Sequence, residues 1–549
     1  MKAAIDIEAT FGDIRQWTMS SVIAQRARLS GAHTFLRYLP DGRHYTYADL
    51  ERETNGIARA FADLGIGYRD HVAVMFDNCP EQVLSHFALG KLGAVAVPIN
   101  TAAKGQLLRY YLDHADCAAI IVSDGLAGEV LRIAADLPAL KRVIVLGDVS
   151  TAQARLDGSP VSVHPFPANC ATDTPVDSPA KFSDLAYLLY TSGTTGPSKA
   201  IMLTHACTHF WAEQAIRYRQ FRPDDVDYVF LPLFHANALL LGVTTALMAG
   251  STVALAQRFS ASRFWDDVRA AGATRFASIG AVGSFLYGRP PDPQDRDHKV
   301  RVCTLAPPPP LVHDFEKRFG IKVLTGYALS DYCAATWCPP GAPPDKVFSA
   351  GIPRDSVRVR VVDDDDFDVP AGTAGEILLR VEQPWATPLG YYKMPEATIA
   401  SHLNGWFHTG DCGYFDDDGY LHFTDRKKDA IRRRGENISA FEVENIILGI
   451  PQVKQVAVYP VRSAFTEDEV AASIILHDGE HLSHEALILH CAANMSRFMV
   501  PRFVEFVDEL PVTLTNKVQK FKLKERAEAE PGRLWDRDQT PLRDQSRRR

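Results

Sequence analysis

A loop between two apolar runs carries the residue types that bind phosphate. Residues 185–190 read LAYLLY, residues 191–200 read TSGTTGPSKA, and residues 201–205 read IMLTH. Glycines let a backbone approach a ligand closely, and hydroxyl groups and lysine add donors for anionic oxygens. The residues expected to bind phosphate are Thr191, Ser192, Gly193, Thr194, Thr195, Gly196 and Lys199. The flanking apolar runs disfavour a flexible linker, and the loop lacks the Gly-Lys-Ser/Thr ending of a P-loop.

Three later stretches hold polar residues that suit phosphate and metal chemistry. GYALSD, at residues 326–331, offers the Ser330 hydroxyl and the Asp331 carboxylate, which is a hard oxygen ligand of the kind Mg²⁺ prefers. Asp411 follows Thr-Gly, and an isolated aspartate there is more often a turn residue. Lys517 stands in PVTLTNKVQK, where a lysine is usually only solvated. Taken singly, these residues leave the structural and functional interpretations open.

The elements that position these residues alternate between helix and strand. Residues 45–64 have the apolar spacing of an amphipathic helix, and HVAVMF, which starts at His71, predicts a strand. Repetition of this unit predicts a mainly parallel α/β sheet. Residues 238–256 contain no charge over roughly the length of a membrane span. Gly250 and Ser251 divide that segment, so a buried helix followed by a strand is expected instead.

Length and composition set limits on the class of protein. A chain of 549 residues predicts two unequal domains. The net charge of -8 disfavours nucleic-acid binding. The 9 cysteines show neither a disulfide framework nor paired zinc spacing. The N-terminus lacks the uninterrupted apolar core of a secretory signal, so we expect a cytoplasmic protein without a transmembrane segment. The oligomeric state is left open.

The chain resembles the adenylate-forming, or AMP-binding, superfamily of acyl-CoA synthetase type. The resemblance runs through YTSGTTGPSKAIMLTH, GYALSD, GWFHTGD, DRKKDAIRRRGENIS and PVTLTNK, in that order. It implies a large N-terminal α/β domain, residues 1–424, and a small mobile C-terminal α/β domain, residues 425–549, with the active site between them. The hinge would lie near residues 425–428, with a flexible tail after about residue 528. PLFHANAL and LWDRD are similar to carnitine/crotonobetaine-type and other small-acid CoA ligases.

The resemblance also implies a role for particular residues. Lys517 would be the catalytic lysine, Ser330 would meet phosphate, and Asp331 would hold Mg²⁺. The implied nucleotide-binding residues beyond the loop are Ala306, Gly326, Tyr327, Asp411 and Arg426, the last two at the ribose. Lys428 would be the hinge and Gly435 would belong to the coenzyme A loop. The chain departs from the family pattern at Leu305, Ala328, Ser330, Asp331 and Asn516.

The acid-binding pocket is expected to combine apolar and polar side chains, without an evident buried cation. The residues expected to border it are Phe234, His235, Asn237, Ser278, Phe285 and Leu305. This mixture favours a short or medium carboxylic acid and leaves an aromatic or steroid-derived acid open.

The function implied is an ATP-dependent acyl-CoA ligase that forms AMP. ATP, Mg²⁺ and coenzyme A would take part, and an acyl-adenylate would be the intermediate. Three alternatives stay open: a free-standing enzyme that loads a carrier protein, a nucleotide-binding protein with weakened catalysis, and a luciferase-like oxidation. The departures at Leu305, Ala328, Asp331 and Asn516 motivate the second, whereas Lys199, Asp411, Arg426 and Lys517 argue against it.

Overall fold

The chain folds into two compact units. A computed structural model describes residues 5–156, 158–191, 198–309, 311–339, 341–426, 431–433, 436–438, 440–462, 468–495, 499–513 and 517–540. The first unit comprises Met1–Thr191, Ser198–Arg358 and Val381–Ala400, and the second comprises Ser192–Pro197, Val359–Arg380 and Ser401–Arg549. The expected division near residue 425 stays a prediction.

The strands up to residue 353 are β1 (Thr34–Tyr38), β2 (His44–Thr46), β3 (His71–Met75), β4 (Val95–Pro98), β5 (Ala119–Ser123), β6 (Arg142–Leu146), β7 (Ser162–Pro165), β8 (Leu185–Tyr190), β9 (Ala200–Thr204), β10 (Val226–Val229), β11 (Thr252–Leu255), β12 (Arg275–Ile279), β13 (Val302–Ala306), β14 (Lys322–Leu324), β15 (Thr336–Trp337) and β16 (Ile352–Pro353). The later strands are β17 (Val357–Val362), β18 (Gly375–Val381), β19 (His402–Leu403), β20 (Trp406–Phe415), β21 (Leu421–Arg426), β22 (Ile431–Arg433), β23 (Glu436–Ile438), β24 (Val453–Arg462), β25 (Asp468–Leu476), β26 (Phe503–Phe506) and β27 (Trp535–Asp536).

The α-helices are α1 (Ile7–Phe11), α2 (Met19–Ser30), α3 (Tyr47–Asp63), α4 (Pro80–Leu92), α5 (Gly105–His114), α6 (Asp124–Leu131), α7 (Ser150–Leu156), α8 (His205–Tyr218), α9 (Ala236–Ala238), α10 (Thr245–Ala249), α11 (Phe264–Ala271), α12 (Gly280–Tyr287), α13 (Val312–Phe319), α14 (Pro395–Ala400), α15 (Ala440–Leu448), α16 (His484–Asn494) and α17 (Lys520–Ala529).

Two seven-stranded sheets form the first unit. One has the order β7-β6-β5-β3-β4-β8-β9 and the other β14-β13-β12-β10-β11-β1-β2. In each sheet the strands pair in parallel except the last, β9 or β2, which is antiparallel. Parallel strands need covered faces, and helices cover these. The predicted parallel α/β architecture is therefore confirmed.

The second unit is built mainly on antiparallel pairing. Strands β17, β18, β20 and β19 form one sheet in that order, and β21 joins it at β20. Strands β24, β25, β26 and β27 form another, in which β25 and β26 run parallel. In the C-terminal segment, helix α15 is followed by strands β24 and β25.

The uncharged segment 238–256 is a buried helix followed by a strand, as predicted. A π-helical stretch, Leu239–Thr244, continues into α10. Gly250 ends α10 with φ 76°, a left-handed conformation that glycine adopts without strain. Strand β11 follows, with all four of its residues buried. Among the residues that the structure describes, no helix has both the length and the apolar character needed to cross a membrane.

Candidate active site

Several predicted site residues lie at one edge of the second sheet. Strands β10, β12, β13 and β14 are parallel neighbours, so their carboxyl ends reach the same edge. Phe234 and His235 follow β10, Ala306 ends β13, and Gly326 and Tyr327 follow β14. Parallel topology therefore gathers residues that are distant in sequence.

The turn after β10 is held by a buried asparagine. Asn78 donates to the carbonyls of Leu231 and Ala256 at 3.0 and 3.1 Å, and its Oδ1 accepts from the backbone N–H of Leu233 at 2.9 Å. His235 is the residue that immediately precedes α9, and its ring centroid lies 4.6 Å from that of Phe234. Asn78 is a positioning residue that the sequence pattern did not indicate.

GYALSD forms one arm and the tip of a tight hairpin. Tyr327 N–H donates to Thr336 Oγ1 at 3.0 Å, and Leu329 N–H donates to the Cys333 carbonyl at 2.9 Å. Ser330, exposed, and Asp331, partly exposed, occupy the turn. A Cβ atom on Gly326 would collide with the Thr336 carbonyl oxygen and lie 3.1 Å from Trp337 Cα. Only glycine allows the two arms to approach this closely.

Tyr391 connects the two predicted phosphate-binding segments. Its hydroxyl donates to Asp331 Oδ2 at 2.7 Å, and Lys199 Nζ lies 4.5 Å from the centre of its ring. Burial, followed by the Asp331 charge, raises the Tyr391 pKa, so the hydroxyl keeps its proton and donates. Sequence reasoning missed Tyr391, because a tyrosine sixty positions from its partner leaves no spacing signal.

The phosphate loop is closed at its base. Thr191 N–H donates to the Lys199 carbonyl at 2.9 Å. Tyr110 donates to the Ser198 carbonyl at 2.7 Å, and the hydroxyls of Tyr111 and Ser198 lie 3.3 Å apart. The other predicted loop residues, Ser192, Gly193, Thr194, Thr195 and Gly196, lie outside the described residues.

Three predicted pocket residues are not brought together with Asn237. Leu305 is fully buried in the cluster formed with α11, α12 and α13, and Ser278 pairs with it in register. Residues paired in register point to the same face of a sheet, so Leu305 and Ser278 both lie on the face that α11, α12 and α13 cover. Phe285 is 54% exposed on α12.

A cation lies beside the predicted pocket, where none was expected. Arg219 donates through Nη1 and Nη2 to Asn237 Oδ1, both at 3.1 Å. The sequence pattern gave no sign of this partly buried arginine, and the expected lining of the acid pocket stays a prediction. Arg219 follows α8 in sequence, and only the return of the chain through β10 brings it to Asn237.

In the second unit, Asp411 is buried within β20. It is 5% exposed, its N–H donates to Thr409 Oγ1 at 3.0 Å, and its Cα is paired with that of Arg426 across the ladder to β21. The Arg426 side chain lies outside the described set. The adjacent Gly410 has φ 69° and donates its N–H to Glu376 Oε1 at 3.2 Å. These bonds fix the backbone that carries the Asp411 carboxylate, a group that accepts hydrogen bonds from hydroxyl donors.

The backbone of Lys517 is bonded to Thr513 in the second unit. Thr513 N–H donates to the Lys517 carbonyl at 2.8 Å, and Lys517 N–H donates to Thr513 Oγ1 at 3.2 Å. The Lys517 side chain is exposed. Nearby Lys520 pairs with Glu444 at 2.8 Å. Lys428, Gly435 and Asn516 lie outside the described residues.

The residues at Asp331 fit a magnesium ion carried by a nucleotide. Within the described parts of the chain, no cluster of three or more His, Cys, Asp or Glu side chains suits a metal ion. Mg²⁺ that arrives with a nucleotide needs only one or two carboxylates, because phosphates and water complete its shell. Asp331 supplies such a carboxylate, and the Tyr391 hydroxyl orients it.

Comparison with family models identifies the class. The AMP-binding enzyme model matches residues 23–392, and the AMP-binding enzyme C-terminal domain model matches residues 442–517. The chain belongs to the AMP-binding enzyme family. It is 33% identical to the crotonobetaine/carnitine-CoA ligase of Salmonella heidelberg over 488 residues, which cover 88% of this chain and 93% of that one.

Solved structures agree with this assignment. ATP-bound MatB from Rhodopseudomonas palustris has a TM-score of 0.76 at 26% identity and covers 93% of this chain and 99% of its own. A fatty acyl CoA synthetase from Mycobacterium tuberculosis has a TM-score of 0.70 at 27% identity, with coverages of 94% and 99%. Within its family, the protein is an ATP-dependent, AMP-forming acyl-CoA ligase that acts on a carboxylic acid.

Proposed function

We propose that the site activates a short or medium carboxylic acid on ATP and passes the acyl group to coenzyme A. The observation that carries the assignment of roles is the link from Lys199 through Tyr391 to Asp331. It joins a cation from the phosphate loop to a carboxylate suited to Mg²⁺. The likeness to a ligase named for crotonobetaine and carnitine, which are small acids, supports the size of the substrate.

In the first half-reaction, a carboxylate oxygen would attack the α-phosphorus of ATP and expel pyrophosphate. Both reactants are anions, so the residues must offset charge repulsion that grows in the transition state. We assign this task to Lys199 and Lys517, with the Thr191 and Ser330 hydroxyls as further donors. Bound Mg²⁺ would supply positive charge to the phosphates. Asp411 and Arg426 would hold the ribose.

In the second half-reaction, the coenzyme A sulfur would attack the acyl carbonyl carbon and AMP would leave. Phe234, His235 and Asn237 would border the acyl group. Ala306, Gly326 and Tyr327 would border the nucleotide. In this proposal Lys517 serves only the first half-reaction, and a different loop serves the second. We therefore assign a hinge role to Lys428 and a coenzyme A-binding role to the Gly435 loop. A cytoplasmic location stays a prediction.

The half-reactions separate these roles. Lys517→Ala should slow adenylate formation by at least ~10²-fold, the typical cost of losing one preorganised donor. Transfer from a supplied acyl-adenylate to coenzyme A should be nearly unchanged. Pyrophosphate exchange measures the first step and thioester formation the second.

Lys522→Ala is the matched control, because Lys522 is an exposed lysine five residues further along the chain. Equal loss of both half-reactions in Lys517→Ala would show that Lys517 is structural or wrongly assigned.

A further inference from the structure

The contact between Arg219 and Asn237 fixes the polarity of an amide. Both guanidinium nitrogens donate to Asn237 Oδ1 at 3.1 Å, and Nη1 also lies 3.4 Å from the Leu241 carbonyl. A guanidinium group has donors only, so the amide oxygen must face it. The Asn237 NH₂ group therefore points away from Arg219. The described residues offer that NH₂ group no hydrogen-bond acceptor.

The face of β12 beside Asn237 carries one partly exposed position. Helix α9, which contains Asn237, lies close to β12. Arg275 of β12 donates to the Arg219 carbonyl at 2.7 Å, so Arg219 lies on the face of β12 that carries Arg275. Side-chain alternation puts Ala277 on the same face. Ala277 is partly exposed although it lies in an interior strand, and its neighbours Phe276 and Ser278 are buried. This exposure indicates space for a ligand beside α9.

The charges around this space favour an oxygen acceptor. Arg275 and Arg301 pair with Asp227 and Asp225, at 3.4 and 2.6 Å respectively. Arg219, by contrast, has no described carboxylate within 4.0 Å. Burial lowers the Arg219 pKa to about 9, and the charge of Arg354 is the second cause.

Arg354 adds to this positive charge. No carboxylate of the described chain lies within 4.0 Å of its guanidinium group either. Burial lowers its pKa to about 10. An electron-rich oxygen is therefore stabilised near Arg219 and Arg354, whereas an alkyl group would gain only contact area.

We propose that Arg219 is a positioning residue that directs the Asn237 NH₂ group toward the acyl chain of the substrate. This inference rests on the proposed function. The pocket accordingly selects carboxylic acids that bear a second oxygen acceptor: a hydroxyl, a carbonyl or a second carboxylate. A site built to donate a hydrogen bond discriminates strongly against an analogue that leaves the donor unpaired.

The test compares matched acids of four to six carbons, each as the alkyl acid and as its hydroxy, oxo and dicarboxylic counterparts. The readout is the ratio of kcat/KM in acid-dependent AMP release. The natural protein should prefer one oxygen-bearing series by about 10-fold or more. Asn237→Leu should lower that ratio by about 10-fold and leave the KM for ATP nearly unchanged.

Two further variants separate positioning from structure. Asn237→Asp keeps a partner for Arg219 but presents an acceptor, so it should favour hydroxy acids over oxo and dicarboxylic acids. Arg219→Met frees the amide to turn, so the ratio should fall while the KM for ATP stays constant. Arg217→Met is the matched control: Arg217 lies in α8 two residues before Arg219, is 54% exposed, and pairs with Glu213 and Asp355.

Two outcomes would overturn the inference in distinguishable ways. If the natural protein turns over all four acid classes equally, or Asn237→Leu keeps the preference, the role of Arg219 and Asn237 is wrong while the ligase function stands. If no acid of any class yields AMP, the proposed function fails and the inference with it.

Discussion

The Tyr391 hydroxyl is the single group whose removal should report most directly on Asp331, the carboxylate that we propose as a Mg²⁺ ligand. Phenylalanine keeps the ring beside Lys199 and removes only the 2.7 Å bond to Asp331. Because loss of a group that orients a metal ligand typically costs ~10–100-fold in affinity or activity, Tyr391→Phe should raise the Mg²⁺ requirement for pyrophosphate exchange by about 10-fold.

A magnesium titration of the exchange rate measures this effect. The adjacent Tyr392→Phe is the control, since Tyr392 donates instead to the surface carboxylate of Asp116 at 2.8 Å. An unchanged magnesium dependence in Tyr391→Phe would show that Asp331 binds no metal in this reaction.

At the level of elements, the hairpin that presents Ser330 and Asp331 depends on Gly326. Gly326→Ala would push the first arm away from Thr336 and Trp337, because the added Cβ meets their backbone. Overpacking of this kind costs about 1–3 kcal/mol, and a displacement of about 1 Å at reacting groups can cost ~10²-fold in rate. The variant should lose at least about 10-fold in adenylation and melt at a lower temperature.

Thermal unfolding and pyrophosphate exchange check the two effects together. Gly128→Ala is the control, because nothing lies within 4 Å of a Cβ added there. Full activity of Gly326→Ala would mean that the hairpin does not position the reacting groups.

Two helices of the first unit carry histidines that make stability depend on pH. Burial lowers the pKa of His86 in α4 to about 3, that of His205 in α8 to about 3, and that of His209 in α8 to about 4. Each stays neutral in the fold, whereas the unfolded chain takes up protons below about pH 6.5. The free energy of unfolding is therefore unaffected by these histidines above about pH 6.5. As the pH falls toward 4, it decreases by up to about 1.4 kcal/mol per histidine per pH unit.

His86→Leu should remove the loss of stability at low pH that is due to His86. Both ring nitrogens of His86 are buried without a partner among the described residues, so the substitution breaks no hydrogen bond. Between pH 7 and pH 5, the melting temperature of the variant should fall less than that of the natural protein. The exposed His481→Gln should behave like the natural protein. An identical loss in His86→Leu would show that His86 is accessible to protons in the fold.

For the whole molecule, sequence patterns predicted the architecture better than the contacts of the site. Alternating helices and strands predicted parallel sheets, and the glycine at position 250 predicted the break in the uncharged segment. Tyr391, Asn78 and Arg219 were missed, because each meets its partner only through tertiary folding. Strand alternation also separates Ser278 and Leu305 from Asn237, and a pattern of residue types does not reveal this.

The central claim is that the protein forms AMP and an acyl thioester from an acid, ATP and coenzyme A. The most direct measurement is the release of AMP by the purified protein with Mg-ATP and coenzyme A across short, branched, aromatic and steroid-derived acids. The account predicts that one acid or more yields AMP, pyrophosphate and thioester in equal amounts, with AMP release dependent on both the acid and coenzyme A. ATP binding without AMP from any acid, or release of ADP and phosphate instead, would contradict it.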